Sequence, residues 1–447
     1  MSTLAVPYST IASTTVDEDL SPTWIQLLCL WSLQAVVAVV MKQVTFVATA
    51  HAVLAMSVVL YFGLIGRRSS AIAYGSAYIV GSEVLWRMCR AQVPWEFGKY
   101  CLILVLAVTL FRMRSQILPL VPMLYFMALL PGVVGSMFVL SVDEVRNTLS
   151  FNLSGPTALL VCSLFFQNVK LSLPEIRWLF LFAITPTVGV AAVAAYGTYG
   201  RAIEFGSTSN KATSGGFGPN QVSSILGMGA LLCVMYLLSG AKGRNRTIVV
   251  SVVSVFLLMQ CVMTFSRGGL YGAVGAFAPA LLFILQDERL RRKAMSLIMF
   301  LIIAAMLVFP MLNTFTGGSL GQRFEKTSTT GRDRLMEQDM QAFLDHPIFG
   351  TGVGVSPKYH WENLVSHTEQ SRLVAEHGIF GIFALLCLVA FGVNSVLRAR
   401  TPVARAFASS MWVWGFLYMM TAGMRLAAPA YFIGLCCLQW KERQSRE

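Results

Sequence analysis

The feature that most constrains this chain is a series of apolar segments, most near 20 residues, repeated along almost its whole length. About 20 apolar residues are what an α-helix needs to cross the hydrocarbon layer, where every backbone polar group must bond within its own segment. The runs fall at 22–41, 44–66, 71–88, 97–112, 117–135, 154–169, 177–198, 220–240, 247–266, 269–286, 294–312, 373–397, 404–422 and 426–440. Glu83 and Arg87 interrupt the third, and the last is short. The pattern predicts an all-α polytopic membrane protein with about 12–14 transmembrane helices. Composition agrees: 56% of residues are hydrophobic and only 12% charged, against about 25% charged in soluble domains.

Basic residues set the orientation. Arg67–Arg68, Arg112/Arg114, Lys170/Arg177, Lys242/Arg244/Arg246, Arg289/Arg291/Arg292/Lys293, Arg398/Arg400/Arg405 and Lys441/Arg443/Arg446 all fall on one side in the span count. Short basic loops stay cytoplasmic. Both termini, 1–21 and 441–447, therefore read as cytoplasmic tails on either side of the spans at 22–312 and 373–440. The net charge of +13 is explained by these loops, so no nucleic-acid partner is expected, and membrane lipid is. Asp17, Glu18 and Asp19 precede the first run in place of a basic leader, so that run is expected to remain as a span. Nearly all of the nine cysteines lie inside apolar runs without metal-ligand spacing, so they read as small apolar residues.

The opposite side carries a Gly/Ser/Thr-rich loop at about 199–219, the tight turn Ser266-Arg267-Gly268-Gly269, and one long loop at about 313–372, large enough for short helices and a cap. That long loop holds Arg323, Lys326, Arg332, Arg334, Lys358 and Arg372, and Arg201 and Arg267 stand at span ends. Basic residues here run against the orientation rule. They are either solvated loop charges and headgroup contacts or ligands of an anion. Arginine suits phosphate because its planar fork donates two parallel hydrogen bonds. Arg267 is the sharpest case, wedged between two long apolar runs.

Gly268-Gly269 open one helix and Gly215-Gly216-Phe217-Gly218-Pro219-Asn220 another. Helix N-termini offer free N–H groups to an anion, although glycine and proline are also ordinary helix punctuation. After Thr330-Gly331-Arg332 comes a short amphipathic helix with Leu335, Met336, Met340, Phe343 and Leu344 on its apolar side. His367 precedes the next span and is either a surface histidine or a general base, since imidazole titrates near neutral pH. Ser366 and Glu369 have capping-box spacing. His346, His360 and His377 read as structural. The first outer loop, near Lys42, lacks an acidic pair, and no divalent-cation constellation is apparent, so no metal or other cofactor is expected.

Three pieces of sequence resemble the O-antigen ligase and polymerase superfamily of bacterial envelope glycan enzymes. They are Thr264-Phe265-Ser266-Arg267-Gly268-Gly269; Thr330-Gly331-Arg332 followed by His346-Pro347-Ile348-Phe349-Gly350-Thr351-Gly352-Val353-Gly354; and His367 followed by Gly378 and Gly381. The likeness covers roughly residues 175–400. It implies a GT-C-like fold in the inner membrane with a periplasmic site. It also implies a polyprenyl (undecaprenyl) diphosphate-linked glycan donor and a glycan or lipid acceptor, with a chain-length regulator as a further partner. By the same resemblance Arg201, Arg267 and Arg332 would hold the diphosphate and His367 would be the base. Glu369 would be a second base or an orienter, with Arg334, Arg372 and Asn220 in support.

The implied reaction is inverting, metal-independent glycosyl transfer. Many ligases have Asn after the histidine, where this chain has Thr368 and Glu369. That run and Gly216-Phe217-Gly218-Pro219-Asn220-Gln221 look more like exopolysaccharide polymerases. A polymerase is therefore the first expectation and a ligase acting on lipid A–core or protein the second. A transporter or flippase for lipid-linked glycans is the third, disfavoured because no repeat is visible and the polar residues sit at one face rather than at the midplane.

Overall fold

The computed structural model describes residues 22–66, 68–113, 117–199, 203–206, 208–240, 242–326 and 331–441. The expected N-terminal tail, nearly all of the C-terminal one, and Arg67, Arg114, Arg201 and Thr330 lie outside the described residues. The first eleven helices are α1 (Trp24–Gln43), α2 (Thr45–Leu64), α3 (Ser69–Met88), α4 (Phe97–Arg112), α5 (Leu120–Val139), α6 (Val142–Gln167), α7 (Leu173–Thr198), α8 (Pro219–Leu238), α9 (Arg244–Met263), α10 (Arg267–Ile284) and α11 (Glu288–Phe315). Two short helices follow, α12 (Ser319–Glu325) and α13 (Arg332–Asp345), then two 3-10 turns. The chain closes with α14 (Glu369–His377), α15 (Ile379–Arg398), α16 (Pro402–Ala422) and α17 (Ala427–Leu435).

This is an all-α polytopic membrane protein. Among the described residues ten helices, α1, α2, α5 to α11 and α15, are each long and apolar enough to cross a bilayer. The other expected spans are helical but differ in kind. α4 has 16 residues and α17 nine. α3 carries Glu83 and Arg87 and is mostly buried among its neighbours, so protein rather than lipid surrounds it. The run expected at 373–397 is two helices, because Gly378 adopts φ +59 and breaks it; a Cβ there would lie 2.6 Å from the Ile348 carbonyl. The run expected to 440 stops being helical at Leu435. Gln439–Trp440 instead pair in parallel with Lys170–Leu171 as a two-residue ladder. α6 begins twelve residues before its apolar run, at the capping box of Ser141 and Glu144.

α8 is the core of the bundle, with 94% of its span buried, whereas α11 at the periphery has 11% buried. α8 and α10 touch backbone to backbone: a Cβ on Gly269 would lie 2.0 Å from the Ser223 carbonyl oxygen. Small residues permit such contacts where lipid provides no hydrophobic drive between helices. Exposed apolar side chains on α11, such as Met299, Ile302, Met306 and Leu307, form a lipid-facing surface. Near its end Leu312 packs with Phe265 and Leu320 in a small separate core.

Candidate functional site

At one end of the bundle hydrogen bonds join the start of α8 to that of α10 and the start of α14 to the end of α16, and the two pairs meet where Gly268 of α10 packs beside Thr421 of α16. The turn before α10 is the first part. Phe265 is buried and holds left-handed φ +57, rare for a side chain of that bulk. Its carbonyl accepts from Arg323 Nε at 2.9 Å. The Ser266 carbonyl accepts from Ser223 Oγ at 2.7 Å, and Ser266 Oγ donates to Asn220 Oδ1 at 2.8 Å. The strain at Phe265 is thus held by bonds on both sides, and Arg267 leaves the turn as the first residue of α10. Its Nη1 donates to the Lys326 carbonyl at 2.5 Å.

The second part is the segment bearing His367. Asp339 of α13 is fully buried. Its Oδ2 accepts from Ser366 Oγ and Ser371 Oγ, both at 2.6 Å. Its Oδ1 meets His360 Nε2 at 2.7 Å, and His360 Nδ1 meets the Leu364 carbonyl at 2.7 Å. Both ring nitrogens face pure acceptors, so both donate and His360 is an imidazolium. Those bonds hold its pKa above the ordinary value against the opposing effect of burial. From the other side Arg425 Nη2 donates to the Ser366 carbonyl at 3.1 Å. His367 is therefore presented by a segment tied down at the residue before it and at Ser371.

Positive charge crowds this place. Burial comes first and then Arg323 and Arg267 in lowering the pKa of Arg332. Burial and then Arg267 do the same to Arg323. His367 is pushed down to about 4, by burial first and then by Arg425 and Arg332. Its imidazole is neutral at neutral pH, with a ring nitrogen able to accept a proton. Among the described residues none hydrogen-bonds the His367 ring or the Arg332 guanidinium.

The structure brings Arg267, Arg332, His367 and, through Ser266, Asn220 to this end. Arg201 lies outside the described residues. Arg334 is turned away, its guanidinium 4.9 Å from the Trp361 ring centroid. Arg372 and Glu369 sit together in a buried ion cluster. Arg372 pairs with Glu369 and, at 2.7 Å, with Glu376, and it donates to Asn152 Oδ1 at 2.8 Å. Glu369 Oε2 also accepts from the Met424 N–H at 3.2 Å, beside Arg425. The capping box expected of Ser366 and Glu369 does not form: Thr368 is the N-cap residue, and both side chains are engaged elsewhere.

α13 also differs from expectation. Leu335, Asp339 and Ala342 form its buried stripe, while Met336, Met340 and Leu344 are exposed. The helix presents Asp339 inward because its carboxylate finds three donors there, His360, Ser366 and Ser371, which outweighs a pattern of apolar residues. Sequence reasoning missed Asp339, concealed in that stripe, and Arg425, a lone arginine at the edge of an apolar run.

A family model described as O-Antigen ligase matches residues 252–386. The matched stretch runs from α9 into α15 and contains Arg267, Arg323, Arg332, Asp339 and His367. No curated protein matches the chain.

Proposed function

The chain carries an O-antigen ligase-related domain at residues 252–386, and from that premise we propose that it is a glycosyltransferase of the bacterial inner membrane. It moves a glycan from a polyprenyl diphosphate donor to an acceptor hydroxyl at the periplasmic face, with both termini cytoplasmic. The observation that carries this reading is a chain of arginines ending at a neutral His367: Arg425 and Arg332 act on the histidine, and Arg323 and Arg267 act on Arg332. The long loop, described over 313–326 and 331–372, serves in this reading as a cap over the site.

Arg267 and Arg332, with Arg201, bind the donor diphosphate. Arg323 holds the turn that aims Arg267. His367 takes the proton of the acceptor hydroxyl as its oxygen bonds to the anomeric carbon. The bond from that carbon to the diphosphate oxygen breaks, with inversion, and the leaving charge is spread over fixed guanidinium groups. Charges placed in advance where negative charge develops lower the barrier without reorganisation. The arginines thus supply the positive charge that a divalent cation brings to other diphosphate sites. Donor binding also strengthens the base. The bound anion offsets Arg332 and Arg425, so the pKa of His367 rises when there is a proton to take. Glu369 acts as a positioning group through Met424 and Arg372.

The acceptor of the first reading is another lipid-linked repeat, which makes the enzyme a polymerase of O-antigen or exopolysaccharide. The description of the matching family favours the second reading, a ligase that attaches the glycan to lipid A–core or to a protein. Gene deletion complemented with His367→Ala tests both. A polymerase leaves single-repeat lipid-linked glycans, and a ligase leaves full-length unattached glycans. Normal glycan from that variant removes His367 as the base.

A further inference from the structure

A cavity of about 580 Å³ opens between the end of α3, the α3–α4 turn and the entry to α8. Its size falls within the range of about 300–1,000 Å³ common to small-molecule sites. It is built from residues 83–98 and 211–221, all outside the matched segment. It adjoins the arginine–histidine site across the first turn of α8, where Gln221 faces the cavity and Asn220 bonds Ser266.

Trp95 forms the wall. It is 56% exposed yet fixed: the Arg87 guanidinium lies 4.6 Å from its ring centroid, Arg87 Nη2 donates to its carbonyl at 2.8 Å, and Phe217 stands 6.0 Å away centroid to centroid. Arg87 is occupied by this task, since it also pairs with Glu83 at 2.7 Å and reaches Gln221 at 3.2 Å. Glu83 is occupied too, accepting from the Ala427 N–H at 2.7 Å. Lys42 fastens the rim, donating to the Met88 and Gly215 carbonyls at 2.8 and 2.7 Å. Two lining cations are left. Arg90, at left-handed φ +55, and Lys211 are both exposed, and among the described residues neither side chain has a hydrogen bond or an ion pair.

An exposed, propped indole beside two uncommitted cations fits a ring with an apolar face and an acidic edge. We propose that this cavity is a glycan subsite for a sugar bearing a carboxylate, a uronate, with its ring on Trp95 and its carboxylate between Arg90 and Lys211. The proposal rests on the glycan-transfer reading of the neighbouring site. It adds a substrate class: an acidic glycan, held beside the site where the bond is made.

The test uses the full chain in nanodiscs, titrated with glucuronate, galacturonate and mannuronate oligosaccharides and with neutral glucose oligosaccharides, followed by saturation-transfer NMR. At least one uronate probe binds more tightly than the neutral one. Trp95→Ala weakens binding by about tenfold, and Trp95→Phe restores most of it. Arg90→Gln with Lys211→Gln weakens only the uronate probe, by roughly fivefold at low salt and less at high salt. No binding, equal binding of uronate and neutral probes, or binding indifferent to both sets of variants overturns the subsite. His367→Ala separates the two ideas. Uronate affinity that persists in it while glycan product is also unchanged sinks the transfer reading and leaves the subsite standing.

Discussion

The lowered pKa of His367 yields a prediction about the base role proposed for it. In the empty site the ring titrates at about 4, against an ordinary 6.5. That gap corresponds to a roughly 300-fold loss of proton affinity. Burial is the largest cause, and Arg425 and Arg332 follow. The arginine part of the effect disappears when a diphosphate lies against them; the burial part does not. The sign is fixed. Protonated His367 cannot take a proton, so rate falls as pH falls through its pKa. The acid limb of kcat/KM, which reports the free enzyme, should lie near 4, and that of kcat, which reports the loaded enzyme, should lie higher.

Two measurements check this reasoning. Ring NMR titration of His367 in nanodiscs reads the empty site directly, and inorganic pyrophosphate should move the midpoint upward. Arg332→Gln removes one cation, so it should raise the empty-site midpoint and shrink the pyrophosphate response. A midpoint of 6.5 in the empty protein, or limbs of kcat/KM and kcat that coincide, refutes the electrostatic account.

Three further outcomes are expected. Asp339→Asn removes the charge that three donors share, which should lower stability by about 2–4 kcal/mol and reduce transfer through a misplaced His367. Because the folded-state pKa of His360 is raised, its stabilisation is complete below the ordinary 6.5 and is lost as pH rises through the raised value; Tm against pH should be flatter in the variant than in the parent. Gly269→Ala drives a methyl group to 2.0 Å from the Ser223 carbonyl, so α8 and α10 must part, costing about 1–3 kcal/mol; an unchanged Tm with full activity contradicts that packing. Arg372→Met strands Glu369 and Glu376 as buried carboxylates at about 3–5 kcal/mol, and adding Glu369→Gln and Glu376→Gln should recover much of the lost yield of folded protein.

The helices were legible in the sequence because lipid demands long apolar runs, and each such run falls on a helix. Their limits were not. Apolarity says nothing about Gly378, whose left-handed backbone divides one run into α14 and α15, or about the polar first turns of α6. Arg267, Arg332 and His367 were legible because a charge or a histidine beside a span, on the side that short basic loops avoid, stands out against its surroundings. Asp339 and Arg425 were not, since their importance comes from partners distant in sequence: Arg425 meets a carbonyl 59 residues away, and Asp339 meets hydroxyls 27 and 32 residues on. Glu369 shows the reverse. Its local spacing suggested a helix cap, and a nearby arginine claimed it.

The weak attachment of α11 ties the chemistry to the bilayer. At 28 residues the helix is about 42 Å long, and the hydrocarbon layer is about 30 Å thick. The buried anchors of the helix are few: Ala294 sits in the main core near one end, and Leu312 near the other packs with Phe265 in the turn that launches Arg267. Its tilt is then set chiefly by the lipid around it, while its far end continues into α12 and Arg323. On the proposed reading, a thicker or thinner membrane tips this lever and, with it, Arg323 and the turn before Arg267. The same reading makes membrane thickness a tuning variable of the proposed transfer, acting through the medium that holds a lipid-linked donor.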